Sequence, residues 1–244
     1  MKMTVCIPMY NESSVIADTA TTLSTYMSSN FDDYEILFSD DGSRDGSAEI
    51  VKSLNLPNVR VIENPVNQGK GAAVRAAMLE STGDYVLFTD ADLAYGTDVI
   101  KGISDAFLND SKSDVIIGSR NVDKSGYEEY TFMRKLASKI YIKLLCMIGG
   151  FRMSDSQCGC KAFTGKAAKE IFSRCKLDGF SFDFEVLLWA ETLGMNVREY
   201  PVKIIHHRES KIRLVRDSLK MIRDVIGIKK SVRASVRKEK NEKN

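Results

Sequence analysis

Asp90 and Asp92 flank Ala91 where the apolar run Tyr85–Thr89 breaks into a loop. Two carboxylates one residue apart at a strand end make a compact hard-oxygen site. Mg²⁺ and Mn²⁺ suit it, because such cations keep waters and take one or two carboxylates plus phosphate oxygens. Side chains alternate faces along a strand, so extended geometry would put Asp90 and Asp92 on one side. An Asp-x-Asp pair alone is a weak signal. Here it is one of several polar clusters that each follow an apolar run.

The other clusters are Tyr10-Asn11-Glu12, Asp40-Asp41-Gly42-Ser43, Asn67-Gln68-Gly69-Lys70-Gly71 and Gly118-Ser119-Arg120. Asp40 has two open readings, a turn that caps the next helix or a contact to a nucleotide. Gly69-Lys70-Gly71 resembles a phosphate cradle at a helix start, without the full P-loop spacing. Arg120 and Arg134 suit bidentate phosphate binding or an ordinary ion pair. Asp183 and Glu185 fit either a helix-dipole role or a place in the cleft. His206-His207 lack sequence partners for a metal, and Cys158-x-Cys160 lacks the second pair that a zinc site needs.

The elements that must position these groups follow a strand–helix alternation. Strands are expected at Thr4–Pro8, Tyr34–Ser39, Val59–Glu63, Tyr85–Thr89 and Asp114–Gly118. Helices are expected at Ser13–Ser28, Asp45–Leu54, Gly71–Glu80 and Thr97–Leu108. Apolar strands without alternation are buried on both faces, as in a parallel sheet. The pattern predicts a three-layer α/β fold with helices on both faces of a mostly parallel sheet. Ligands in such sheets bind beyond the carboxyl ends of the strands, where the polar clusters fall. Further on, Thr131–Gly149 and Phe182–Leu193 read as helices, Asn196–Ile205 as a strand, and Ile212–Ile228 as a basic amphipathic helix.

With 244 residues, 43% hydrophobic and 28% charged, the composition is that of a globular protein. No apolar stretch approaches the roughly 18 residues of a spanning helix. The chain enters a strand almost at once, so no signal peptide is expected. Five cysteines fit a reducing compartment. The net charge of +2 hides an asymmetry: Lys211–Asn244 holds twelve basic and four acidic residues, against 23 and 29 in the remaining body. A catalytic domain over 1–210 with a basic helix and tail over 211–244 is the expected organisation. The apolar face of that helix has two open destinations, a membrane surface or its own domain.

Taken together the motifs resemble family 2 glycosyltransferases of the GT-A (Rossmann-like) fold. The likeness is to the polyprenyl-phosphate hexosyltransferase branch, which includes dolichyl-phosphate mannose and glucose synthases. It rests on Ile7–Glu12, Ser39–Ser47, Asn67–Arg75, Thr89–Leu93, Gly118–Arg120, Asp155–Phe163, Phe182–Glu185, Pro201-Val202 and Ser210-Lys211, in order along the chain.

The resemblance implies an inverting enzyme that moves a hexose from a nucleotide-sugar to a polyprenyl phosphate, for cell-envelope glycan or glycoconjugate synthesis. It places Pro8, Tyr10, Glu12 and Asp40 around the nucleotide, with Lys70 beside them. Asp90, Ala91 and Asp92 would face the diphosphate, and the two acids would hold Mg²⁺ or Mn²⁺. Arg120, Arg134 and Lys211 would meet the acceptor phosphate. Asp92, Arg120 and Asp183 are the catalytic candidates, Asp183 or Glu185 serving as base if the acceptor were a sugar hydroxyl. Mannose synthases often carry Gln where this chain has Ala94, which favours UDP-glucose or another UDP-hexose over GDP-mannose. The expected setting is cytoplasmic, on the inner face of a membrane, with a separate membrane subunit as a further candidate partner and no nucleic acid. Two alternatives are a glycosyltransferase with a sugar hydroxyl acceptor and a non-catalytic nucleotide-binding scaffold of the same fold.

Overall fold

The computed structural model of the chain describes residues 1–122, 146–150, 153–205, 225 and 227–237. The elements run β1 (Met3–Met9), α1 (Ile16–Asn30), β2 (Tyr34–Asp40), α2 (Ser47–Ser53), β3 (Val59–Glu63), α3 (Lys70–Glu80), β4 (Tyr85–Phe88), α4 (Asp98–Asn109) and β5 (Val115–Ser119). Then come β6 (Lys161–Thr164), α5 (Gly165–Phe172), α6 (Phe182–Thr192) and β7 (Val197–Pro201). The seven strands form one sheet in the order β3-β2-β1-β4-β6-β5-β7. β6 is antiparallel to both its neighbours, and the other pairings are parallel.

Strand alternation splits the core into two layers. Leu37, Val86, Phe88 and Phe163 pack with Val74 and Met78 of α3, Phe172 of α5 and Leu187 of α6. Ile36, Phe38 and Leu87 face the opposite way, onto Ile16 and Leu23 of α1 and Ile100 and Phe107 of α4. Every residue of β1 and β2 is buried, as continuous apolar runs covered on both faces require.

The sequence order turns back at β1: β2 and β3 lie on one side, β4 on the other. Pairing of β1 with β4 stops at Cys6↔Phe88, whereas pairing with β2 continues to Met9↔Asp40. Pro8, which lacks an N–H for the ladder, therefore sits where β1 has lost one neighbour. The two strands diverge there into the crevice expected at a topological switch point.

Two elements were not expected from the sequence, β6 and α5. β6 is four residues long and begins with a lysine, so it shows little strand pattern. Its antiparallel insertion keeps the sheet mostly, not wholly, parallel. The expected strand Asn196–Ile205 is regular only over Val197–Pro201. Beyond it the chain still bonds across, Val202 N–H to Ser119 O at 3.1 Å and Ile205 N–H to Ala94 O at 2.8 Å.

Most of the Thr131–Gly149 and Ile212–Ile228 helices expected from the sequence lies outside the described residues, as do Arg134, Lys211 and His206-His207. Among the described ones, 146–149, 225 and 227–237 are helical. Val225, Ile228 and Val232 are buried in the same core layer as Leu187. The apolar face of this C-terminal segment thus packs on the domain at these positions. Among the described residues no helix is long and apolar enough to cross a membrane.

Candidate active site

At the switch point two loops are stitched to each other. Asn11 N–H donates to Ser43 Oγ at 2.9 Å, Glu12 N–H to Ser47 Oγ at 2.9 Å, and Arg44 N–H to Asn11 Oδ1 at 2.9 Å. Asp45 accepts Ser13 N–H at 2.9 Å and the Ser47 hydroxyl at 2.5 Å. These bonds hold the loop after β1 against the loop after β2. Pro8, Tyr10, Glu12 and Asp40 are brought together there. Pro8 pairs with Ser39 in register, and Tyr10 is exposed. Asp40 is buried, and its carboxylate accepts Ser43 N–H at 3.0 Å as well as the Ser43 hydroxyl. Asp40 thus closes a turn onto Ser43 without capping α2, whose start at Gly46 has no side-chain cap.

Beyond β4 the Asp90-Ala91-Asp92 loop turns sharply. Leu93 has φ +47°, Leu93 N–H donates to Asp90 O at 3.0 Å, and Ala94 N–H donates to Asp92 Oδ1 at 3.1 Å. The Thr19 hydroxyl of α1 holds Ala91 O at 2.5 Å. Lys70, the first residue of α3, makes an ion pair with Asp90 Oδ1. Burial alone would push the Lys70 ammonium down, but Asp90, Asp183 and Asp92 outweigh it and hold it above the usual lysine range. Asp90, Asp92 and Lys70 therefore form one cluster at the mouth of the crevice. Among the described residues no group of three or more His, Cys, Asp or Glu forms a cation cage. The two carboxylates suit a divalent cation that takes its other ligands from phosphate oxygens and water.

The phosphate-cradle reading of Gly69-Lys70-Gly71 is corrected. Gly69 N–H donates to Asp41 Oδ2 at 2.6 Å, and Gly71 N–H to Asp178 O at 2.7 Å. Ala72 N–H is shared between Gly69 O at 3.0 Å and Asp178 O at 3.3 Å. The amides of Gly69, Gly71 and Ala72 are thus spent on the protein. The Lys70 side chain points from this helix start to Asp90.

Arg120 follows β5. Its Nε and Nη2 grip Asp155 at 2.6 and 2.9 Å, and Asp155 is fully buried. Glu199 of β7 fixes that loop by accepting Ser154 N–H at 2.9 Å and Asp155 N–H at 3.1 Å. The ion-pair reading is realised at this arginine, with a buried carboxylate rather than at the surface, and the pair stands at the carboxyl end of β5.

Asp183 and Glu185, both in the first turn of α6, separate. Asp183 lies beside Lys161 in a buried ion pair and acts electrostatically on Lys70 and Asp90. Burial pushes its carboxyl up, against the pull of Lys161 and Lys70. Glu185 instead accepts Lys176 N–H at 2.9 Å and Leu177 N–H at 2.7 Å. It holds the loop that docks on α3, so its cleft reading is corrected.

Asp155, Lys161, Gly159 and Tyr95 were not assigned roles from the sequence. Gly159 packs on Asp90 so tightly that a Cβ there would lie 2.3 Å from Oδ2. Its N–H donates to Tyr95 Oη at 3.3 Å. The available signal was a lysine closing the Cys158-Gly159-Cys160 turn inside an apolar run, a costly place for a charge.

The mostly parallel sheet with its switch point at β1 is a GT-A fold. Solved structures share it, two of them as follows. Glucosyl-3-phosphoglycerate synthase from Mycobacterium tuberculosis, in complex with Mn²⁺, UDP and phosphoglyceric acid, has a TM-score of 0.68 at 19% identity, over 94% of this chain and 78% of that one. Mannosyl-3-phosphoglycerate synthase from Rubrobacter xylanophilus has a TM-score of 0.70 at 16% identity, over 97% and 75%.

The glycosyl transferase family 2 model matches residues 4–172, and the chain belongs to that family. It is a glycosyltransferase. Among its relatives is a dolichyl-phosphate beta-glucosyltransferase of Trichomonas vaginalis, 32% identical over 92% of this chain and 70% of its own length. Those of Dictyostelium discoideum and Saccharomyces cerevisiae are 30% and 31% identical, over 93% of this chain and 73% and 74% of theirs.

Proposed function

We propose that this enzyme transfers a hexose, with inversion, from a UDP-sugar to a polyprenyl phosphate. The likeness to dolichyl-phosphate beta-glucosyltransferases over nine-tenths of the chain supports glucose as the hexose. Pro8, Tyr10, Glu12 and Asp40 form the nucleoside side of the crevice. Asp90 and Asp92 hold a divalent cation, which when bound neutralises charge on the leaving diphosphate. Lys70 adds a fixed positive charge beside them. Arg120 lines the acceptor side, and Arg134 and Lys211 join it by analogy with the family.

The observation that carries the acceptor class is the fate of the two carboxylates that could serve a hydroxyl acceptor as base. Glu185 caps backbone amides, and Asp183 Oδ1 is paired with the Lys161 ammonium. Burial raises the Asp183 carboxyl, which favours proton uptake, while the charges of Lys161 and Lys70 beside it oppose that uptake. A phosphate monoester, with a second pKa of about 6, is largely dianionic at neutral pH and attacks without a strong base.

Such an acceptor lies at a bilayer surface, so the enzyme works at the membrane face, by docking or through a membrane partner. The deciding experiment incubates the protein with UDP-glucose, other UDP-hexoses or GDP-mannose, each with undecaprenyl or dolichyl phosphate and Mn²⁺. A chloroform-soluble phosphosugar from UDP-glucose is expected. Transfer to a sugar hydroxyl with none to the lipid would establish the alternative acceptor class.

A further inference from the structure

Lys161 opens β6, the strand between β4 and β5, with its side chain fully buried. Its ammonium pairs with Asp183 Oδ1, donates to Cys158 O at 2.7 Å and sits 5.7 Å from the centroid of the Phe88 ring. A buried ion pair is a poor source of stability. Desolvation of both ions offsets most of their attraction, and apolar residues of similar volume often do as well.

Its location says more. The Cys158 carbonyl that Lys161 holds belongs to the turn carrying Gly159. Gly159 is the wall on which the Asp90 carboxylate rests, with room for no side chain. The same glycine donates to Tyr95 Oη in the loop after Asp92. The wall is therefore tied from both sides, by Tyr95 and by Lys161. The other Asp90 oxygen is held by Lys70, on which Asp183 also acts. Lys161, Asp183, Lys70 and Asp90 make a row of alternating charge that ends at the acidic pair.

We infer that Lys161 is a positioning residue for donor binding: through the 158–160 turn it sets where the Asp90 carboxylate stands, without touching substrate. The inference rests on the reading of Asp90 and Asp92 as the donor-diphosphate site. Groups that orient a ligating residue from behind typically govern 10–100-fold of metal affinity or activity. A pair serving only the fold would weaken donor and acceptor sites alike when broken.

The test titrates UDP into the protein with Mn²⁺ by calorimetry, beside steady-state kinetics, for wild type, Lys161→Met, Lys161→Arg and Gly159→Ala. Lys161→Met should lose about 10–100-fold in UDP affinity while the acceptor KM stays unchanged. Lys161→Arg should recover part of the loss. Gly159→Ala, which leaves the Lys161–Asp183 pair in place, should show the same selective loss. Wild-type UDP affinity in a folded Lys161→Met overturns the inference, as does a parallel loss of donor and acceptor affinity. If circular dichroism shows Lys161→Met unfolded, wild-type UDP affinity in Gly159→Ala overturns it instead. Failure of the wild type itself to bind UDP with Mn²⁺ would overturn the donor-site reading, a different result from the other two.

Discussion

Gly69 lies against Asp178 so closely that a Cβ on Gly69 would stand 2.4 Å from the Asp178 carbonyl oxygen. That contact joins the loop before α6 to the start of α3, and Lys70 is the next residue. Asp41 holds the same Gly69 from the other side, and Arg75 one turn along α3 reaches Asp178 Oδ1 at 2.6 Å. The position of the Lys70 ammonium is thus set by backbone packing from two directions.

Gly69→Ala should therefore do two things. With φ at +120° and a carbonyl in the way, the added methyl forces backbone to move, at a cost of about 1–3 kcal/mol. It should also displace Lys70 and weaken UDP binding. Gly46→Ala is the comparison, since Gly46 has φ +82° but nothing within 4 Å of a Cβ. It should cost a smaller amount, about 1 kcal/mol for the unfavourable φ, and leave UDP affinity alone. Urea midpoints and UDP titrations of the two variants check both parts.

Asp92→Asn should abolish turnover with little change in the urea midpoint. Asp92 is only partly buried, and its Oδ1 accepts Ala94 N–H, a bond that the amide oxygen of Asn can keep. What is lost is the negative charge beside Asp90. Excess chelator should silence the wild type to the same level, and added Mn²⁺ should restore it. Turnover by Asp92→Asn close to that of the wild type would remove Asp92 from the donor site.

How far the sequence carried these conclusions depended on the range of the interaction. β1 through β5 and α1 through α4 were legible because each is a local apolar run of the right period, bounded by polar turns. Asp90, Asp92 and Lys70 were legible as a group because strand ends of one sheet must meet at one edge. The spent amides of the α3 start were not, since Asp178 comes from a loop far along the chain that no local pattern ties to Gly69. β6 was hidden by its own lysine, whose counter-ion Asp183 lies on another element. Arg120 illustrates both sides: its place at a strand end was legible, its grip on Asp155 was not.

That grip changes how Arg120 must be probed. Arg120→Ala leaves Asp155 as a buried, uncompensated charge, and breaking such a pair typically costs about 3–5 kcal/mol. A loss of activity in that variant would mix misfolding with lost acceptor contacts. Arg120→Ala/Asp155→Leu should recover much of the stability, because the orphaned charge is removed as well. If Arg120 meets the acceptor phosphate, the double variant should stay folded and bind UDP normally, yet show a much higher KM for polyprenyl phosphate. A wild-type acceptor KM in the folded double variant would confine the arginine to a structural role.

Acid stability should be governed in part by two carboxylates that tie loops and strands together, Glu35 and Asp45. Glu35, at the start of β2, accepts Thr82 N–H at 2.5 Å and the hydroxyls of Thr4 and Thr82 at 2.7 and 2.8 Å. Burial pulls its carboxyl upward, but these bonds outweigh it and hold it below the 4.5 of a free glutamate. Asp45 likewise resists partial desolvation through its bonds from Ser47 and Ser13, and falls from 3.8 to about 2. In both cases the unfolded chain takes up its proton first as pH drops, so acid favours unfolding. The stabilisation is complete above the unfolded values and is lost as pH falls through the lower folded ones; for Asp45 that window runs from 3.8 down to about 2. Glu35→Gln and Asp45→Asn resemble the protonated forms, so each should be less stable than wild type at pH 7. The deficit should shrink steadily as pH falls below the unfolded values and vanish once the wild-type carboxyl is itself protonated. Urea midpoints of the three proteins, taken from pH 7 into the acid range where the fold survives, measure this. Curves that stay parallel across that range would mean that charge on Glu35 and Asp45 contributes nothing to the fold.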